Sequence, residues 1–171
     1  MTAAVPPWVT GKQATSLIGA AGEHYCMAQL LVRGYLAALT PRGVPEADIL
    51  VYDPTGGVAA ELQVKSRSGV SGHGWRMSKK HEATSHGRLF YCFVDFSQEP
   101  VPVYVIPDGR VAEFVMRSHA AWLETPGRNG QQRQDWAGRF VSPNPHLSID
   151  GFGEGWMEPY RNQWHMIMAV S

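Results

Sequence analysis

EADILVYDPTGGVAAELQVKSRS, residues 46–68, places two short apolar runs on either side of one turn. Residues 48–52 read as a strand, Asp53-Pro54-Thr55-Gly56-Gly57 has turn composition, and residues 58–65 read as a second strand. The pair predicts a hairpin. Side chains alternate across a strand, so Asp48, Leu50 and Tyr52 share one face of the first. Glu61, Gln63 and Lys65 share one face of the second, and Ala60, Leu62 and Val64 share the other. Three polar groups in a row behind an apolar face fit either a chemical site or the wet side of an ordinary antiparallel hairpin.

Upstream, residues 16–35 carry a helical pattern, with Leu17, Ala20, Ala21, Met27, Ala28, Leu31 and Tyr35 at three- and four-residue steps. Thr15 or Ser16 is the expected cap. Gly19 and Gly22 each cost a helix about 1 kcal/mol relative to Ala, which close approach to an underlying element would offset. Glu23 precedes Cys26, Met27 and Leu30 at three, four and seven residues, beside an apolar stripe. A carboxylate there is costly unless a cation or metal neutralises it, and Lys65 is the natural partner; a solvated helix glutamate is the plain alternative. Residues 1–13 read as a loose lead-in.

Downstream, residues 66–74 form a Gly/Ser-rich loop and residues 75–85 a polar, basic segment with short-helix character. Residues 89–96 and 101–106 read as two strands joined by Ser97-Gln98-Glu99-Pro100. Residues 111–123 suit a helix, 125–150 a long irregular segment, and 158–168 a terminal helix with Pro159 in its first turn. The order predicts one α/β (α+β) domain of 171 residues, with a central mixed sheet of four to five strands flanked by helices.

With 44% apolar and 18% charged residues, the chain has the composition of a folded protein rather than a disordered one. Fifteen basic and fifteen acidic side chains give a formal net charge of zero, so any grip on a polyanion must come from local clustering. Cys26 and Cys92 lie in apolar stretches without metal-ligand spacing and read as buried free thiols. The N-terminal residues lack the pattern of a secretion signal, and no stretch approaches the roughly 20 apolar residues of a membrane helix, so the expected location is cytoplasmic.

Glu23, Asp48 and Gln63-Val64-Lys65, in that order, resemble the PD-(D/E)XK nuclease superfamily, in particular its small single-domain members with a QxK last motif. The similarity extends to GAAGEHYCMAQLLVRGY (residues 19–35) as opening helix and EADILVYDPTGG (46–57) as the aspartate-bearing strand. RLFYCFVDF (88–96) and VPVYVIP (101–107) resemble later sheet strands, and YRNQWHMI (160–167) the chain's ending. The resemblance implies a restriction-endonuclease-like core and Mg²⁺-dependent hydrolysis of DNA phosphodiesters, with Mn²⁺ as a substitute ion. Asp48, the Gln63 amide and the Val64 carbonyl would hold the ion. Lys65 would orient or deprotonate the attacking water, and Glu23 would steady Lys65. Gln63 departs from the commoner acid and adds no charge, which leaves open an inactive nucleic-acid-binding or protein-interaction module on the same fold. Glu61, one pleat away, is an extra ligand, a supporting group or a solvated charge.

Between Lys65 and Arg88 the cations Arg67, Arg76, Lys79, Lys80 and Arg88 face a single acid, Glu82, with His73, Trp75, His81 and His86 interspersed. Such a segment suits a phosphate backbone, as would a solvated loop basic by chance. Arg128, Arg133 and Arg139 mark a weaker second cluster. The histidine spacings fit no zinc site. DNA is the expected partner ahead of RNA, with no membrane, and the resemblance adds a homodimer.

Overall fold

The computed structural model describes residues 11–41, 43, 47–69, 74–83, 87–127 and 129–168. Helix α1 (Gly11–Leu31) is followed by β1 (Leu36–Leu39), β2 (Ile49–Tyr52), β3 (Val58–Arg67) and β4 (Trp75–Ser78). A 3-10 turn at Lys79–Glu82 leads to β5 (Leu89–Asp95) and β6 (Val103–Pro107), then α2 (Asp108–Glu124) and β7 (Gly138–Val141). Two further 3-10 turns, Glu158–Tyr160 and Trp164–Met168, come last among the described residues.

The main sheet has the order β1-β2-β3-β5-β6. Its β3–β5 pair is parallel and its other pairs are antiparallel, so the fold is mixed α+β as expected. The hairpin forms where the sequence placed it, with Leu50 opposite Glu61. Asp53 closes its turn by accepting the Thr55 N–H and hydroxyl, which hold its carboxyl below the usual range. A parallel neighbour needs a crossover, and here β4 and the first 3-10 turn supply it. β4 pairs with β7 in a small second sheet.

Both faces of the main sheet are covered, which is why every residue of β5 is buried. One face packs Ile49, Val51, Leu62 and Val64 against Cys26 and Leu30 of α1 and against Trp164 and Ile167. The other packs Tyr91, Phe93 and Ile106 against Val111 and Phe114 of α2, Trp75 and Met77 of β4, and Trp156.

Several expectations shift. α1 begins at Gly11, and the Thr15 and Ser16 hydroxyls donate back to the Gly11 and Lys12 carbonyls instead of capping. Its buried stripe is Gly22, Cys26 and Leu30, while Leu17 and Leu31 stand 52% and 53% exposed. Gly34, at φ +81°, ends the helix before Tyr35. Residues 75–78 form a strand, with Trp75 and Met77 in and Arg76 out; only Lys79–Glu82 is helical. The irregular stretch 125–150 contains β7. The expected terminal helix is broken at Asn162 (φ 55°), whose backbone and side chain both bond to Val103. β1 gave no signal, being four residues of Leu and Ala at a sheet edge.

Candidate active site at the strand fork

β2 starts at Ile49, whereas its partner β3 runs on to Arg67, so the two strands part at Asp48. The Asp48 N–H donates to the Leu62 carbonyl at 2.8 Å, and its carbonyl accepts from Thr40 at 3.0 Å. Its carboxylate then takes over where the ladder stops: Oδ2 accepts the Val64 N–H at 2.7 Å. N–H and C=O of one strand residue point to the same side. The Val64 carbonyl therefore emerges at the same fork, beyond the end of β2.

Gln63 and Lys65 lie on the sheet face away from α1. Gln63 opens into a cavity of about 20 Å³ shared with Lys80, His81, Tyr91 and Asp108, room for about one water or a small ion. Asp108 and His81 carry no motif that marks them in the sequence as neighbours of Gln63. Their signal is positional: Asp108 opens α2 directly after β6, and His81 follows two lysines in the crossover. His81 is buried, its Nδ1 lies 3.0 Å from the Ser78 nitrogen, and its ring meets Tyr91 edge-on at 5.9 Å.

Lys65 makes no ion pair among the described residues. Burial pushes its ammonium below the ordinary 10.5; Asp48 opposes that shift, and Lys80 reinforces it. Glu23 follows Gly22, and Gly22 presses directly on the Ser66 and Val64 side chains. The Asp48 and Glu23 charges both help raise the pKa of the Cys26 thiol, after its hydrogen bond to Cys92 and its burial. Both carboxylates thus bear on one thiol at the α1–sheet interface. The two cysteines are buried and free. Glu61 is half-buried on the Gln63 face, one pleat back, and its N–H donates to the Arg88 carbonyl.

No group of three His, Cys, Asp or Glu suited to a metal occurs among the described residues. The fork offers one carboxylate, one amide and one backbone carbonyl. That is the donor set of a hard ion that keeps much of its water, such as Mg²⁺, and not of zinc. The Asp48 Oδ1 has no hydrogen bond among the described residues, and Ser66 Oγ, buried beside Gly22, also lacks a partner. The residues present therefore fit such an ion.

The cations divide into two groups. Arg67 binds Asp95 at 2.6 Å and lies 4.0 Å above the Trp75 ring, so its charge is spent inside the fold. Arg139 is 3% exposed, held by Glu82, Asp135 and the Trp136 carbonyl. Arg76 and Lys80 are exposed; Lys79 reaches Asp135 at 2.9 Å, and Arg88 donates to the Val58 carbonyl at 3.1 Å. Arg133 sits 4.8 Å over Trp122. His73, His86 and Arg128 lie outside the described residues. Among the described residues no helix is long and apolar enough to cross a membrane.

No family model matches the chain, and no curated protein matches it. Among solved structures it is similar to a bacterial homing endonuclease, I-Ssp6803I, with 14% identity, a TM-score of 0.53, and coverage of 91% of this chain and 94% of that one. The fold is nuclease-like.

Proposed function

We propose that the chain is a metal-dependent endonuclease of PD-(D/E)XK type acting on DNA, centred on Asp48, Gln63 and Lys65 with Glu23 alongside. The observation that best supports this reading is the fork, where the Asp48 carboxylate is fixed on the Val64 amide beside a half-buried lysine whose pKa is lowered. The likeness in fold to a homing endonuclease adds weight by analogy.

A bound Mg²⁺ or Mn²⁺ would neutralise charge developing on the phosphate and acidify a water. Asp48 would hold the ion through Oδ1, with the Gln63 amide oxygen and Val64 carbonyl as neutral donors. Lys65 gives up a proton more readily than a surface lysine, so it would take the proton of the attacking water or steady charge on the phosphorus oxygens. Glu23, on the α1 side of the sheet, would bear on the fork through the Cys26 interface it shares with Asp48, and Glu61 would support Gln63 from one pleat back. Arg76, Lys79, Lys80 and Arg88 would follow the DNA backbone, leaving Arg67 to the fold. A homodimer would present two such sites to two strands.

The test is nicking of supercoiled plasmid in Mg²⁺ and in Mn²⁺. Activity should fall at least about 100-fold, the scale of losing a principal electrostatic or acid–base group, in both Asp48→Ala and Lys65→Ala. Gln63→Glu should lower the ion concentration required. Cleavage that survives Asp48→Ala would remove the site; DNA binding without cleavage would make the chain a binding module.

A further inference from the structure

A second cavity, of about 370 Å³, lies between α2, β7 and the chain after it. That volume falls within the range of small-ligand pockets, about 300–1,000 Å³. Arg139 lines it, with a guanidinium already engaged by Glu82, Asp135 and main-chain carbonyls, which leaves little for a new ligand. Its walls are rings. His119 and Trp122 stack at 5.5 Å and 18°. Trp136 is 46% exposed at the mouth and 6.2 Å from Phe140. The indole of Trp136 lies flat on Gly138, where a Cβ would stand 2.2 Å from it, so glycine there sets the ring's place.

Two arginines stand near its edge, where Asp135 already binds His119 and Arg139. Arg76 is the register partner of Phe140 across the β4–β7 pair, so both project from one face. Arg133 lies over the Trp122 ring and donates to the Trp122 carbonyl. Aromatic walls with arginines near the edge combine the two parts of single-strand recognition, stacking for the base and charge for its phosphates. An apolar peptide side chain would use the walls and leave the cations idle.

The geometry points to a nucleobase pocket: one unstacked base of a DNA strand inserts between Trp136 and the His119–Trp122 pair while Arg76 and Arg133 hold the flanking phosphates. This rests on the reading of the chain as a DNA-binding protein. The turn Lys79–Glu82 links the pocket to the candidate active site. In the turn Lys79–Glu82, Lys79 and Glu82 bond to Asp135 and Arg139 at the base pocket, while Lys80 and His81 line the Gln63 cavity. A base in a duplex cannot reach such a pocket without unpairing, so mismatched or bulged DNA is the preferred ligand.

The test compares two duplexes of equal length, one fully paired and one with a single bulged 2-aminopurine, at one stated salt concentration. The bulged duplex should bind more tightly, and its fluorescence should be quenched by stacking. Trp136→Ala, an exposed truncation, should lower the preference at least about fivefold, the low end of base–aromatic stacking, and restore fluorescence. Arg76→Ala should weaken both duplexes alike. Equal binding of the two duplexes without quenching would overturn the pocket and leave DNA binding intact. Binding of neither would overturn both readings. Self-association abolished by Trp136→Ala, with no base preference, would give the pocket to a second copy of the chain.

Discussion

At the scale of one residue, Lys65 joins stability to chemistry. Its folded pKa lies below 10.5, chiefly through burial, so holding Lys65 as an ammonium costs the folded state stability. The unfolded chain binds the proton more tightly, and stability therefore rises with pH between the folded value and 10.5. Lys65→Met should raise the melting temperature at pH 7, by about 2–4 °C per kcal/mol gained in a chain of this size, while abolishing nicking. The gain should shrink on moving to pH 10. An equal gain at both pH values would mean that the ammonium is not its cause. Nicking by the wild type should rise as pH approaches the folded pKa of Lys65 and level off above it if neutral Lys65 takes the proton. Gln63 and Lys65 were legible as one polar strand face by alternation, whereas Asp48 joined them as a candidate only through the family resemblance. His81 and Asp108 were not legible, since a crossover and a helix start bring them to Gln63 and neither leaves a periodic trace.

At the scale of elements, α1 shows how the sequence misleads. Counting apolar residues gave a stripe through Leu17 and Leu31, whereas the buried line starts from a glycine, which carries no hydrophobic weight. The two helical glycines therefore predict opposite outcomes. At Gly22 a Cβ would stand 1.7 Å from Ser66 Oγ, so Gly22→Ala should destabilise by about 1–3 kcal/mol. Added to Ser66→Gly, it should cost much less. At Gly19 nothing lies within 4 Å, so Gly19→Ala should stabilise by up to about 1 kcal/mol. Chemical denaturation of the three variants checks both signs, and nicking by Gly22→Ala reports whether shifting α1 misplaces Glu23. The hairpin and the β5–β6 strands were legible because turn residues and alternation agree there. β1, β4 and β7 are strands of four residues fixed by their partners, too short to show a period.

At the scale of the molecule, Arg67 and Asp95 tie the ends of β3 and β5 to the second sheet, with the Trp75 indole N–H on the Val94 carbonyl and its ring under Arg67. Burial pushes the Asp95 carboxyl up, but hydrogen bonds from Arg67, Ser97 and Gln98 outweigh it and leave the pKa lowered. A depressed carboxylate contributes stability above its unfolded value, about 3.8, and loses that contribution as pH falls through its folded value. Asp95→Asn should cost about 3–5 kcal/mol at pH 7, the usual effect of stranding one member of a buried pair, and the difference from wild type should narrow below pH 3.8 in acid titrations followed by circular dichroism. The crossover through residues 68–88 also sets a timetable. Hairpin pairing closes within microseconds across a short turn, whereas parallel pairing of β3 with β5 waits for a long loop to return. Pulse-labelled hydrogen exchange during refolding should find the Val64 amide, held by Asp48, protected before the Glu61 amide, which donates across the crossover to the Arg88 carbonyl. A nascent chain would then own its fork before any cationic wall stands beside it, so that, on the proposed reading, the corner for the metal is finished ahead of the surface for the nucleic acid.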